Sequence, residues 1–425
     1  MNPTILRQIR ARWRTAAAVL AAGTAPAILS AVHTPSAVAV PAAPLVAVQA
    51  PAAPPVRTIT LRPKAPALAR APLDRAVDAV RAEVRRGAFP GAALAAGRGA
   101  TTSLIQGVGT TTWKGGTVDP ERTVYDLASL TKVVATTTAA MLLYEDGRLD
   151  LEAPVSRYLP AFSGGAKDRV TIRDLLSHTS GLPAGAGVRG RTVDEKLASL
   201  IRTPLRRAPE SAVEYSDVGF VTLFAALEQA AGEPVPRMLE RRVYGPLGMA
   251  STRYAPGTDC ERCAPSWLTD DGTPVRGKVH DPTARALGGV AGNAGLFSTV
   301  ADLSRFAAML AGGGELEGVR VLKPETIDTF ARRQAGAGTR ALGWETPNAD
   351  GTGAAGTSMS PRAFGHTGFT GTSLWVDPEH GTWAVLLANR TYDAHASNRI
   401  QKLRRTVHAY VTESAEEAPV SALAE

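Results

Sequence analysis

Three short segments carry side chains able to perform acyl transfer. Ser129-Leu130-Thr131-Lys132 sets a hydroxyl and an amine three residues apart, and it is the one S-x-x-K in the chain. On a helix, residues i and i+3 share a face, so Lys132 comes within reach of the Ser129 hydroxyl and its proton. The start of a helix also offers N–H groups and the positive end of its dipole to a developing oxyanion. The residues that follow, Val133-Val134-Ala135 and then Ala139-Ala140-Met141-Leu142-Leu143, describe a buried helix. A buried lysine needs a partner for its charge, which sets Lys132 apart from a solvated lysine on a surface helix.

Tyr215-Ser216-Asp217 is the second segment. A phenol is a poor base at neutral pH, but an adjacent ammonium lowers its pKa. A Lys132–Tyr215 pair can therefore share the roles of base toward Ser129 and acid toward a leaving group. Taken alone, Tyr-Ser-Asp is also an ordinary helix N-cap. The third segment is Gly365-His366-Thr367-Gly368, where flanking glycines let a ligand approach the backbone. His366 is placed to donate to a substrate carboxylate or to Tyr215, with a structural role as the alternative. If its protonated form anchors a carboxylate, activity on carboxylate substrates falls as pH rises past its titration. His280 and Asn293 are candidate pocket residues beside the Gly288–Gly295 loop, loop capping being the alternative for Asn293. His178 lies in a helix-ending turn and is expected to be structural.

Several elements must position these segments. Apolar residues at helical spacing predict a helix over Leu73–Arg86, and two β-prone runs over Gly91–Trp113 flank Gly97-Arg98-Gly99. Leu130–Glu145 and Val170–Ser177 read as helices, as do Phe220–Ala231, Val235–Val243, Val300–Leu310 and Pro324–Arg332. Strands follow at Ala363–Gly365, Thr372–Val376 and Trp383–Ala388, with a closing helix over Ser397–Val411. The fold class is mixed α/β, of the α+β kind. Its antiparallel sheet is built from both ends of the domain and flanked by helices, with a mostly helical subdomain over about 150–320.

Other chemistries lack their motifs. G-x-S-x-G, H-E-x-x-H and a Walker A sequence are absent, and the two G-x-G-x-x-G matches, Gly185–Gly190 and Gly351–Gly356, open no βαβ unit. Neither a metal nor a cofactor is implied. The lone C-x-x-C, Cys260 and Cys263, falls short of a zinc ligand set and reads as a small loop disulfide.

These segments, in this order, resemble the serine β-lactamase and penicillin-binding-protein superfamily, and within it the class C-like branch with its D-alanyl-D-alanine carboxypeptidase and esterase relatives. Leu175–Pro183, Tyr244–Met249, Gly292–Ser298 and Gly365–Pro378 fit the same resemblance, which spans about residues 73–412. It implies that Ser129 is the nucleophile, that Lys132 and Tyr215 manage its proton, and that the oxyanion hole is the backbone N–H of Ser129 with that of Phe369. Asp217, His366, Thr367 and Gly368 would face the substrate. Two departures stand out. Asp217 replaces the usual Asn and would set a negative charge beside the substrate amide, and His366 replaces Lys and weakens the permanent charge for a carboxylate. Both disfavour efficient β-lactamase activity. The expected function is acyl transfer on a small amide or ester, peptidase-like or esterase-like, with a β-lactamase or a non-turnover penicillin sensor as alternatives.

The formal charge of +8 comes from the leader. Residues 1–73 hold eight basic and no acidic residues, and the remaining 39 basic residues are matched by 39 acidic ones, so nucleic acid is not an expected partner. The expected substrate is a small molecule or a peptidoglycan-derived peptide. An Arg-bearing start, an uncharged Ala-rich run and Ala37-Val38-Ala39 predict a signal peptide over residues 1–39, hence a secreted or cell-envelope protein. A membrane is a partner only if that signal is retained. A Pro/Ala-rich linker is expected over 40–72 and a frayed tail over 413–425.

Overall fold

Small and β-prone residues from the two ends of the domain meet in one antiparallel sheet. The computed structural model describes residues 67–393 and 399–418. The expected signal peptide and nearly all of the expected linker lie outside those residues, as do Ser397 and Asn398 of the expected closing helix. The sheet strands are β1 (Gly91–Arg98), β2 (Thr101–Thr112), β3 (Gly115–Thr117), β4 (Phe364–Thr367), β5 (Ser373–Asp377) and β6 (Thr382–Ala388), in the order β4-β5-β6-β1-β2-β3. The seam between the two ends is the β1–β6 pairing, from Ala92 opposite Ala388 to Arg98 opposite Thr382. The mixed antiparallel architecture matches the expectation.

The β1–β2 turn starts at Gly99, two residues later than expected. Gly97 and Arg98 belong to β1, with a register shift at Ala96/Gly97. A side chain does not fit at Gly97, because a Cβ there would stand 2.3 Å from both the Trp383 ring and the Thr101 carbonyl.

Both faces of β1 are covered, and its alanines let helices approach closely. On one face lie α1 (Arg70–Arg85) and α7 (Arg399–Glu417), whose Leu73, Val77, Val80, Leu403, Val407 and Val411 pack on Leu94, Ala96 and Leu386. Helix α6 (Val300–Ala311) packs against β1 and β6. Burial of each such side chain stabilises the fold by roughly 1.5–3 kcal/mol. The expected tail starts too early. Helix α7 continues to Glu417, because Arg75 pairs with Glu413 at 2.6 Å, Ser414 Oγ donates to the Ala69 carbonyl and Ala415 is buried.

The site-bearing helices are α2 (Thr138–Glu145), α3 (Ile172–Leu176), α4 (Val193–Ile201) and α5 (Asp217–Ala231). Helix α4 was not among the expected elements, although its capping box, Thr192 with Glu195, is a sequence signal for its start. The expected Leu130–Glu145 helix is regular only from Thr138. A tight 3₁₀ turn spans Ala128–Leu130, and a wide π turn spans Lys132–Thr137, where Thr138 Oγ1 donates to the Val133 carbonyl five residues back. Turns of this width within helices gather at functional sites. Cys260 and Cys263 form a disulfide in the loop that pairs with Val124, just ahead of the S-x-x-K segment.

Candidate active site

Tyr125 and Asp126 pair with Ser298 and Phe297, and the chain then turns sharply into Ser129. Ala128 adopts φ 48°, a left-handed conformation that costs a non-glycine residue energy and persists only where its surroundings enforce it. Ser129 is left half-buried at the edge of a cleft of about 290 Å³.

The π turn points Lys132 back at Ser129. Its ammonium is fully buried and donates to Ser129 Oγ at 3.0 Å, to Asp217 Oδ1 at 2.6 Å and to the Asn293 carbonyl at 3.1 Å. An ammonium has three N–H groups, and each has an acceptor here. Burial pulls the Lys132 pKa down, but the Tyr215 oxygen and the Asp217 carboxylate push it up more strongly, so it is raised above its ordinary value. Lys132 is therefore an ammonium at neutral pH and has no lone pair to receive the Ser129 proton.

Tyr215 and Asp217 flank the N-cap of α5. Ser216 Oγ accepts from the Gly219 N–H, so the local N-cap reading holds. That cap sets its two neighbours around Lys132, with the Tyr215 ring centroid 4.7 Å from Nζ. His178 supports the loop: its Nδ1 accepts from the Ser216 N–H at 3.0 Å, and its ring stacks 4.5 Å from that of Tyr215. Burial, with Arg340 and Lys132 nearby, keeps His178 uncharged. Asp217 is engaged by Lys132 through Oδ1 and is not among the residues lining the cleft. Replacing it with Asn removes one of the charges that raise the Lys132 pKa. Lys132 is raised above the ordinary lysine value, so the wild type is expected to show no alkaline limb from it in kcat/KM over pH 7 to 10.5, whereas Asp217→Asn is expected to bring one toward that range. A variant whose profile matches the wild type there would remove Asp217 from control of that ammonium.

On the opposite side, β4 ends in the turn Gly368–Thr372. Gly368 is needed for close packing rather than ligand approach: a Cβ there would lie 2.4 Å from the Leu127 carbonyl. Arg404, buried on α7, donates to the carbonyls of Gly368 and Thr372 at 2.8 and 2.7 Å, and Arg390 Nε donates to that of Phe369 at 2.7 Å. With those carbonyls held, the N–H groups of Ser129 and Phe369 find no protein acceptor among the described residues. Burial lowers the Arg404 pKa only to about 9, so it stays cationic.

His366, offered as a donor or as a structural residue, is buried and uncharged. Burial, then Lys132 and Arg340, depress its pKa well below the ordinary histidine value, and its Nδ1 lies 2.8 Å from the Thr367 carbonyl. The condition for a pH-dependent loss of carboxylate substrates, a protonated His366, is not met near neutral pH. Arg340 supplies a positive charge instead, with its guanidinium 5.2 Å from the Tyr215 ring centroid and within the cleft lining. No motif marked Arg340, nor Arg390, Gln401 and Arg404, which also line the cleft; loops and α7 bring them there. Thr367 and Gly368 line it as expected. Asn293 contributes its carbonyl, while its Nδ2 donates to Asp281 at 3.1 Å, which corrects the expectation of a pocket-lining side chain. His280 stacks on Phe369 at 5.5 Å, and the Phe369 ring is 59% exposed.

A buried lysine on a serine hydroxyl at the edge of a cleft, with the Ser129 and Phe369 N–H groups without a protein acceptor among the described residues, is the arrangement of an active-site-serine hydrolase. Residues 73–407 match the Beta-lactamase family, and the chain belongs to it. A Salmonella paratyphi B protein provisionally named D-alanyl-D-alanine carboxypeptidase is 34% identical over 310 residues, covering 65% of this chain and 72% of that protein. Among solved structures, EstCE1, a hydrolase with promiscuous acyltransferase activity, aligns with a TM-score of 0.66 and 24% identity over 80% of this chain and 98% of its own. A β-lactamase/D-alanine carboxypeptidase of Pseudomonas syringae aligns with a TM-score of 0.64 and 19% identity over 82% of this chain and all of its own. At these identities the two structures speak for the fold alone. The chain is a β-lactamase-family serine hydrolase with a β-lactamase/transpeptidase-like fold.

Proposed function

We propose that this protein is an exported hydrolase that forms an acyl-enzyme at Ser129 and removes a carboxylate-bearing leaving group from a small amide, in the manner of a D-alanyl-D-alanine carboxypeptidase. The observation that carries this reading is the Lys132–Ser129 hydrogen bond within a cleft that also holds the Arg340 cation. Ser129 Oγ attacks the acyl carbon. Its proton passes to Tyr215, while Lys132 holds Oγ as an ammonium donor. The oxyanion receives the N–H groups of Ser129 and Phe369. The C–N bond breaks as Tyr215 returns the proton to the leaving amine, and water then cleaves the ester by the same steps in reverse. Arg340 receives the carboxylate. The name of the 34% identical relative supports the peptidase reading, and the leader composition and the Cys260–Cys263 disulfide support export.

A second reading, a neutral-ester esterase, draws support from the uncharged His366, which removes one fixed cation from the cleft. Steady-state kinetics on a D-Ala-D-Ala peptide and on p-nitrophenyl acetate separate the two. Arg340→Ala is expected to lower kcat/KM for the peptide by about 10- to 100-fold, the worth of a charge-assisted hydrogen bond, with a much smaller loss on the ester. Equal losses would remove Arg340 from carboxylate recognition. Turnover of the ester alone would favour the esterase, and a long-lived adduct with a fluorescent penicillin would favour a penicillin sensor.

A further inference from the structure

Asp126 takes no part in the chemistry described above, yet it touches three segments that meet at the reacting centre. It is a buried carboxylate, 4% exposed, two residues before the left-handed Ala128. Its Oδ1 accepts the Ala128 N–H at 2.9 Å, which holds the strained residue directly before Ser129. Its Oδ2 accepts the His280 N–H at 2.7 Å, and the His280 ring stacks on Phe369. Its main-chain carbonyl accepts Thr370 Oγ1 at 2.7 Å, one residue past Phe369. Two bonds thus lead toward the Phe369 side of the oxyanion hole and one toward the Ser129 side. A neutral side chain could not serve both N–H groups as well, because a carboxylate accepts on both oxygens whereas a carboxamide carries a donor on one end.

We infer that Asp126 is a positioning residue that sets the spacing of the two N–H groups of the oxyanion hole, acting through Ala128 on one side and through His280 and Thr370 on the other. The inference rests on the assignment of Ser129 as nucleophile. Misplacing such donors by an ångström is enough to cost about 10²-fold in rate. The charge state of the bridge then matters. Burial raises the Asp126 pKa to about 6, and Asp281 adds to the rise, while the hydrogen bonds from the His280 and Ala128 N–H groups oppose it. The other titratable groups nearby are His280, itself depressed by burial and by Arg285, and Tyr125, raised by burial. Below about pH 6 the carboxyl gains a proton, loses one acceptor position and releases one of its two N–H groups.

The test is pre-steady-state acylation of the full chain by p-nitrophenyl acetate between pH 4.5 and 8. The wild type is expected to show an acid limb near pH 6. Asp126→Asn is expected to lose about 10²-fold in acylation rate at pH 8, to keep its KM within a few-fold, and to lose the limb. Thr370→Val cuts the main-chain arm without touching a titratable group, so it should slow acylation while keeping the limb, and it decides the matter if Asp126→Asn does not fold. Wild-type rates in folded Asp126→Asn, a slow Asp126→Asn that keeps the acid limb, or wild-type rates in Thr370→Val would each overturn the inference. A wild type whose turnover survives in Ser129→Ala would instead sink the nucleophile assignment.

Discussion

Ser129→Ala is expected to lower kcat by about 10⁶-fold and to abolish covalent labelling by acylating probes. That is the scale seen when the nucleophile of a hydroxyl-acylating enzyme is removed, with the residual rate supplied by the oxyanion hole and substrate binding. The methyl group fits the site, because Ser129 is only half-buried and its Oγ is bonded to Lys132 alone among the described side chains. Circular dichroism should therefore be unchanged. Intact-mass spectrometry after brief exposure to p-nitrophenyl acetate or to a fluorescent penicillin gives the readout. A variant that still gains the acyl mass places the nucleophile elsewhere.

The next largest effect is expected at Lys132, and it has two parts. Lys132→Ala removes the donor to Ser129 Oγ and the cation next to Tyr215, so acid–base assistance is lost, worth about 10²–10⁴-fold in kcat. It also strands the Asp217 carboxylate and the Asn293 carbonyl. Breaking a fully buried pair costs roughly 3–5 kcal/mol. Asp217 keeps about a third of its side chain in solvent, so the expected stability loss is smaller, about 2 kcal/mol. The double variant Lys132→Ala/Asp217→Asn separates the parts. Denaturant titration should show stability partly recovered once the stranded charge is gone, while kcat stays at the single-variant level. Recovery of both, or of neither, would mean that Lys132 serves one purpose rather than two.

The sequence by itself was enough for most of the elements and for the motifs on them, though not for α4 or for the turns that replace the start of the S-x-x-K helix. Helical spacing in Leu73–Val84 and period-2 runs near both ends are local signals, and the short connections between strands left few topologies for the sheet. The S-x-x-K spacing likewise allowed a Ser–Lys contact, because i and i+3 share a face in an α-helix and also in the tight 3₁₀ turn that carries Ser129. What only the tertiary structure decided is the charge state and the company of each group. His366 reads as a titratable cation in sequence, but its burial beside Lys132 and Arg340 makes it neutral. Asp217 stands out in the sequence as a departure from the family pattern, but its partner, Lys132, is decided only when α5 is capped against the S-x-x-K segment, 85 residues away along the chain. Arg340, Arg404 and Asp126 carry no local signal at all. Desolvation and Coulomb interaction depend on distances between segments far apart along the chain, and those distances exist only once the sheet has closed and the helices have packed around it.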